Sequence, residues 1–324
     1  MSASSSSIHA VVAEDFAAVN QLIIRECSSQ VPLVEKIAHH IIDSGGKRLR
    51  PLLVLLVSRA LGYQEDKHLL LAALIEFMHT STLLHDDVVD ESGLRRGKPT
   101  ANSQWSNQSC VLVGDFLYSR SFEMMVRIGS MEIMEILAKV TCVLAEGEVM
   151  QLTNVRNPRI SEEDYMKVIH AKTAKLFEGA TQSAALLSGG SREQQLAMRD
   201  YGKNLGMAFQ LVDDLLDYEG DAATMGKNVG DDLAEGKPTL PLIHAMKMGA
   251  DDEAKLIRQA IRKGGLDQLD AVMEIVRKTG ALEYTREQAH NCSEAAKLSL
   301  EVLPDSDCKN TLYQLTDMAL QRKS

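Results

Sequence analysis

The chain is poor in residues that interrupt or cross-link structure. Its 324 residues include 7 Pro, 5 Cys and 1 Trp, and aromatic side chains make up only 4%. So few prolines leave long stretches free to run as helix. The cysteines (Cys27, Cys110, Cys142, Cys292 and Cys308) are odd in number, widely spread and never form a CxxC pair. That excludes a disulfide framework and predicts buried, reduced thiols of a cytoplasmic protein. The N-terminus lacks the basic and apolar regions of a signal peptide. Glu14 and Asp15 precede the first arginine, Arg25, which argues against a mitochondrial transit peptide. Aliphatic runs such as Leu69 to Ile75 fall far short of the roughly 20 residues a membrane span needs. No stretch alternates with the period of two that marks a half-buried strand. No Gly/Pro/Ser linker is long enough to divide the chain, so one domain over residues 1–324 is expected, with 1–10 disordered. A net charge of −10 disfavours non-specific binding to nucleic acid or to an anionic membrane.

What is present favours helix. Leu, Ala, Met and Glu are abundant. Helical periodicity runs from Asp15 to Asp43 and breaks at Gly45-Gly46. It resumes after Pro51, and again from Leu69 to Asp90. Residues 91–102 read as a polar loop, followed by long helices over about 108–128 and 132–153. Ser161 starts a helix with an acidic first turn. Ser191-Arg192-Glu193-Gln194 has the form of a capping box. Gly220 is the expected stop of that helix, Gly226 to Pro238 a second polar loop, and helices fill the remainder. Gly202 and Gly206, four apart inside a helix, predict a close helix–helix contact. The fold class is all-α.

Two acidic clusters stand out, Asp86-Asp87-Val88-Val89-Asp90 and Asp213-Asp214-Leu215-Leu216-Asp217. Both have the form DDxxD, and both end an apolar helical stretch. On a helix, residues i and i+4 share a face, so Asp86 lies over Asp90 and Asp213 over Asp217. Bare carboxylates stacked this way repel, unless a cation sits between them. Clustered carboxylates suit Mg²⁺, which bridges protein oxygens to substrate phosphates. Two copies suggest two walls of one site holding a polyphosphate. Gln210, one turn before Asp213, extends the polar stripe.

Cations accompany the acids. Gly45-Gly46-Lys47-Arg48-Leu49-Arg50-Pro51 puts three beside a flexible turn, and a guanidinium grips phosphate oxygens two at a time. Arg95-Arg96-Gly97-Lys98 follows the first cluster, and Lys227 and Lys237 follow the second. Lys172-Thr173 falls within a mostly apolar helix. His79 lies two helical turns before Asp86, on the same face. His85 has no such support and reads as a neighbour of the ligands.

The blocks GGKRLRP, LLHDDVVDESGLRRG, FQLVDDLLD and GKNVGDDLAEGKPTLP, in this order over residues 45–241, resemble the signature blocks of trans-isoprenyl (polyprenyl) diphosphate synthases. Within that family the chain is most similar to bacterial octaprenyl diphosphate synthases. The resemblance implies the isoprenoid synthase fold: long, mostly antiparallel helices around a deep central cavity, in a homodimer. It implies about three Mg²⁺, with Asp86, Asp90 and Asp213 as ligands and Asp87, Asp214 and Asp217 assisting. It assigns isopentenyl diphosphate to Lys47, Arg50, His79 and Arg96. It assigns the allylic diphosphate to Arg95, Lys172, Lys227 and Lys237, with Thr173 and Gln210 lining the reaction centre. The implied product is all-trans octaprenyl diphosphate (C40) for a quinone side chain, with C45–C50 or C20–C35 as alternatives. Transient membrane contact would serve release of so apolar a product.

Ser81 and Thr82 are small where short-chain members carry aromatics, which leaves room for a growing chain. Met124 and Met125 are candidates for the floor that stops it. A metal-dependent HD-type phosphohydrolase, suggested by His85-Asp86, leaves the second cluster and the basic block unexplained. A non-catalytic subunit would not need both aspartate motifs intact. A terpene cyclase would not need Lys47, Arg50 and Arg96.

Overall fold

The computed structural model describes residues 8–95, 97–219 and 229–322. Helices dominate, and the chain groups into two compact units. The first comprises Met1–Ala138, Gly179–Arg199 and Leu300–Gln314; the second comprises Lys139–Glu178, Asp200–Ser299 and Leu315–Ser324. Four of the boundaries fall inside the helices Met131–Asn154, Lys175–Leu187, Arg192–Glu219 and Asp307–Leu320 rather than in linkers.

In the first unit the helix Leu49–Ala60 is apolar nearly all round. Every residue from Pro51 to Ser58 is buried, as expected of an interior helix. The first acidic helix, Lys67–Val89, packs against it, against Ala13–Glu26 and most extensively against Asn107–Ile128. The register of that last helix is set at both ends. Ser106 caps its start by accepting a hydrogen bond from the Ser109 amide, and Gly129 ends it at φ +76°. Arg59 grips Asp15 with two hydrogen bonds of 2.6 and 2.7 Å, tying Leu49–Ala60 to Ala13–Glu26. His68, fully buried, adds a contact of 3.2 Å to the same carboxylate.

In the second unit the helices Leu240–Met248, Asp251–Lys263, Leu269–Lys278 and Ala281–Ser299 share an apolar core. Ala254, Ile257, Ala260 and Ile261 form the buried stripe of one of them, at helical spacing. The second acidic helix, Arg192–Glu219, opens with the expected capping box. The Gln194 amide bonds Ser191 Oγ at 3.2 Å, and the Ser191 amide bonds Gln194 Oε1 at 2.9 Å. Ser161 likewise caps its helix through the Asp164 amide.

The structure corrects four expectations. The helical run from Asp15 to Asp43 is two helices, Ala13–Glu26 and Pro32–Asp43, because Pro32 cannot donate a backbone hydrogen bond and serves instead as a first residue. The polar loop 91–102 contains a small antiparallel hairpin pairing Leu94 with Pro99 and Arg95 with Lys98. Its strands of two residues are too short to show any alternation. Order begins before residue 10: Ile8 is buried and leads into the turn Ala10–Val12. Cys142 is exposed and Cys292 half-buried, so not all five thiols are interior. Gly220 and part of the loop from Gly226 lie outside the described residues.

Candidate active site

Asp86, Asp87 and Asp90 occupy the last turn and the cap of the Lys67–Val89 helix. A helix C-terminus carries partial negative charge, so each carboxylate there costs about 0.3–1 kcal/mol without a cation. Burial separates the three. Asp87 is 1% exposed, whereas Asp86 and Asp90 are partly exposed. Arg95 neutralises Asp87 with a two-pronged grip, Nη2 at 2.6 Å and Nε at 3.0 Å from Oδ1. The hairpin that carries Arg95 is anchored in turn. His40 Nε2 is 3.0 Å from the Pro99 carbonyl, and Lys98 Nζ bonds the Asp43 carbonyl at 3.0 Å. Asp43 ends the helix preceding the Gly45-Gly46 turn, so both basic segments converge on one end of the unit.

That turn uses its glycines. Gly45 has φ +85°, Gly46 +140°, and even Arg48 adopts +45° at the cap of the next helix. Arg48 turns inward to Asn20 and to Glu76 at 3.9 Å. Lys47 is exposed and Arg50 partly exposed. Arg50 Nη1 lies 3.2 Å from His79 Nε2, bringing together two residues that the sequence places 29 apart. His85 packs on Asn107–Ile128, its Nε2 3.2 Å from the Val111 carbonyl and 3.3 Å from Asp115.

Ser81 is buried and donates to the Gly114 carbonyl at 2.8 Å, while Thr82 bonds back to the His79 carbonyl. Met124 and Met125 are fully buried. Arg96 and Lys227 lie outside the described residues.

The second motif is sorted in the same way. Asp214 and Asp217 are buried, and Asp213 is partly exposed. Asp214 accepts from the Tyr165 hydroxyl and from Gln210 Nε2 at 2.8 Å. Burial, with Asp213 and Asp217 adding repulsion, pushes its carboxyl up to about 7. Asp217 accepts the backbone amides of Asp231 and Asp232 at 3.1 and 3.2 Å, at the positive start of a short helix. Lys237 follows that helix, its amide on the Asp232 carbonyl and its ammonium against Glu235. Thr173 Oγ1 donates to Gln210 Oε1 at 2.9 Å, so Thr173, Gln210, Asp214 and Tyr165 form one hydrogen-bonded row.

Lys172 and Thr173 do not sit on an ordinary helix. Residues His170–Ala174 form a π-helical turn, a rare widening often found at functional sites. Lys172 Nζ bonds Glu148 Oε2 at 2.8 Å. Gly147 lies against the backbone of Ala171 and Lys172, and Gly206 against Ala174. The tight contact anticipated for Gly206 is therefore present.

Sequence reasoning missed Tyr165, Glu148 and Arg322. Tyr165 and Glu148 carry no motif signal, being ordinary helix residues brought in by packing. Arg322 stacks 4.0 Å over Phe209 and pairs with Asp213 at 2.9 Å. The basic pair at the C-terminus was its only sign.

Among the described residues, no three His, Cys, Asp or Glu side chains are gathered closely enough to cage a metal alone. Mg²⁺ needs no such cage. It is commonly held by one or two carboxylates, waters and phosphates. The two partly exposed carboxylates at the end of Lys67–Val89 fit that donor set. No described helix is long and apolar enough to cross a membrane.

The polyprenyl synthetase family model matches residues 31–278. Octaprenyl diphosphate synthase of Escherichia coli (strain K12) is 49% identical over 316 residues, 97% of this chain and 98% of that protein. The all-trans-nonaprenyl-diphosphate synthase (geranyl-diphosphate specific) of Rhodobacter capsulatus is also 49% identical, over 97% of each chain. The crystal structure of a Caulobacter crescentus polyprenyl synthase, complexed with calcium and isoprenyl diphosphate, matches with a TM-score of 0.94 at 43% identity. The match covers 99% of this chain and 98% of that one. Agreement of sequence and fold along nearly the whole length leaves one assignment: the chain belongs to the polyprenyl synthetase family and is a trans-prenyltransferase of the all-α isoprenoid synthase fold.

Proposed function

We propose that the protein extends an allylic diphosphate, with farnesyl diphosphate as primer, by successive additions of isopentenyl diphosphate to all-trans octaprenyl diphosphate (C40) for a quinone side chain. The observation that carries prenyl transfer is the sorting of the two aspartate motifs. Asp87, Asp214 and Asp217 are buried in protein contacts, while Asp86, Asp90 and Asp213 are partly exposed. Those last three would hold Mg²⁺, about three ions in all. When bound, Mg²⁺ supplies the charge neutralisation that lets a diphosphate leave.

The chain's own residues bind and orient. Lys47, Arg50, His79 and Arg96 would hold isopentenyl diphosphate. Arg95, Lys172, Lys227 and Lys237 would hold the allylic diphosphate, with Thr173 and Gln210 beside the reacting carbons. The leaving diphosphate departs with the electrons of its C–O bond. The C3=C4 double bond of isopentenyl diphosphate then attacks the allylic carbon. The released diphosphate then takes a proton from C2, which restores an allylic diphosphate one isoprene longer. Holding both substrates in line supplies the entropic part of the rate enhancement.

The C40 length is supported by octaprenyl diphosphate synthases of Escherichia coli and Haemophilus influenzae at 49% and 48% identity. A nonaprenyl synthase at 49% identity keeps C45 as the second reading. A homodimer is part of the proposal. Incubation with farnesyl diphosphate, with and without isopentenyl diphosphate, followed by product mass, tests it. A C40 alcohol after dephosphorylation supports the proposal. A cyclised terpene made without isopentenyl diphosphate, or no product at all, would defeat it.

A further inference from the structure

The π turn at His170–Ala174 needs something to hold it, because an ordinary α-helix competes with it. Its defining backbone bond runs from the Lys175 amide to the His170 carbonyl, five residues back. The same two residues are joined a second time through side chains. His170 Nε2 lies 3.0 Å from Glu178 Oε2, and Lys175 Nζ bonds Glu178 Oε1. One carboxylate thus bridges the first residue of the turn and the residue that closes it. Glu178 is 8% exposed and Lys175 is also largely covered, so the carboxylate and its Lys175 foot are shielded from solvent, while His170 is half-buried. Burial alone would raise the Glu178 carboxyl, but hydrogen bonds from His170 and Lys175 outweigh it and the net direction is down. The carboxylate is therefore charged at neutral pH, and the bridge is charge-assisted.

The geometry gives the bridge a consequence. Lys172 and Thr173 lie between its two feet, and they point to Glu148 and Gln210 respectively. If the turn relaxed to α-helix, the residues on one side would turn by about 100° and shift by about 1.5 Å relative to the other. Together these changes carry the short Thr173 side chain out of hydrogen-bonding reach of Gln210 and re-aim the longer Lys172 side chain. Gly147 and Gly206 admit the wide turn by leaving room beside it, but they exert no pull on its ends.

We infer that Glu178 is a positioning residue: by bridging His170 and Lys175 it keeps the π turn open and so aims Lys172 and Thr173 at the reacting diphosphate. The inference rests on the proposed role of Lys172 and Thr173 in allylic diphosphate binding. In this role Glu178 acts through the turn and touches no substrate.

The test uses the full-length protein with Glu178→Gln, which keeps shape and removes charge. Lys175→Met serves as a second variant that cuts one foot of the bridge should the first fold poorly. Amide hydrogen exchange over residues 170–178 should quicken about tenfold in either variant, with residues 49–60 unchanged. The kcat should fall about tenfold, with KM for isopentenyl diphosphate unmoved. Added to Lys172→Ala, Glu178→Gln should cost clearly less than its own tenfold, because the part of its effect that acts through the ammonium is already gone and only the part through Thr173 remains. Wild-type exchange in both bridge variants would overturn the bridge. Losses that multiply in the double variant would overturn its action through Lys172. Full activity of Lys172→Ala would instead overturn the site assignment on which the inference rests, and the exchange measurement distinguishes that failure from failure of the bridge.

Discussion

A Cβ on Gly147 would stand 2.7 Å from the backbone nitrogen of Lys172 and 2.8 Å from the carbonyl carbon of Ala171. Backbone cannot swing aside, so Gly147→Ala must push two helices apart. Alanine gains about 1 kcal/mol of helix propensity over glycine, while overpacking costs about 1–3 kcal/mol. Melting should show a small net loss, and the kcat should fall because the displaced atoms belong to the π turn. Gly114→Ala is the contrast. A Cβ there meets only the ring of His85, at 2.3 Å, and that ring is 36% exposed and can rotate outward. It should leave kcat much closer to wild type. Equal kcat losses in the two variants would refute this reading.

The Arg50–His79 pair predicts a selective defect. Arg50→Ala should raise KM for isopentenyl diphosphate about 10- to 100-fold, since a hydrogen bond to a charged group is worth about 1.5–3 kcal/mol. Arg96→Ala should do the same, and Lys227→Ala should mainly impair use of the allylic substrate. Steady-state kinetics varying one substrate at a time decides. Equal effects of all three variants on both substrates would remove the separate-site assignment.

Arg322 lends a positive charge to Asp213. A cation approaching that carboxylate must compete with the guanidinium. Arg322→Ala should therefore tighten Mn²⁺ binding to the substrate-free protein, read by calorimetry. The carboxylate is partly exposed and the pair is screened, so the gain should be only about two- to fivefold. Weaker binding in the variant would show that Arg322 helps the metal rather than opposing it.

Acid should unfold the first unit through Asp15. The Arg59 guanidinium, followed by His68, holds its carboxyl below the usual carboxylate range against the opposing effect of burial. A lowered folded-state pKa stabilises above the ordinary value near 3.9 and is lost as pH falls through the folded value. Asp15→Asn should lower the melting temperature at pH 7, and the gap to wild type should close as pH drops toward 3. A gap that stays constant across that window would show that the charge on Asp15 contributes nothing.

Product length should respond in opposite directions to two changes. Ser81→Phe fills space about one turn before Asp86 and should shorten the main product to about C15–C20. Met124→Ala or Met125→Ala opens a fully buried site and should lengthen it. Consecutive helix residues point about 100° apart, so one methionine should matter more than the other. Chromatography of the dephosphorylated products reads the result. Unchanged length in the Phe variant would rule out the Ser81 face, and unchanged length in both Ala variants would remove the methionines.

The helices and the caps at Ser161 and Ser191 were legible because period and capping chemistry are local. The pairing of Arg50 with His79 was legible only as a shared role, through the resemblance. The π turn was not legible, because its widening depends on Gly147, Gly206 and Glu178, which are distant or silent in a periodicity reading. The grip of Arg95 on Asp87 was missed for a related reason. A sequence shows that charges are near one another but not which one turns inward. The hairpin at Leu94–Pro99 escaped because two-residue strands have no period to detect. Arg322 escaped because chain ends carry little patterning.

The burial of Asp87, Asp214 and Asp217 beside the partial exposure of Asp86, Asp90 and Asp213 means that each DDxxD is two requirements written in one line of text. Loss of a buried carboxylate abandons Arg95, Tyr165 or two backbone amides inside the protein, so the damage falls on how much enzyme the cell retains. Loss of a partly exposed one removes a group proposed to hold metal from a molecule that should still fold, so the damage would fall on what each retained copy can do. Cellular abundance and specific activity would therefore respond separately to changes at adjacent letters of the same motif.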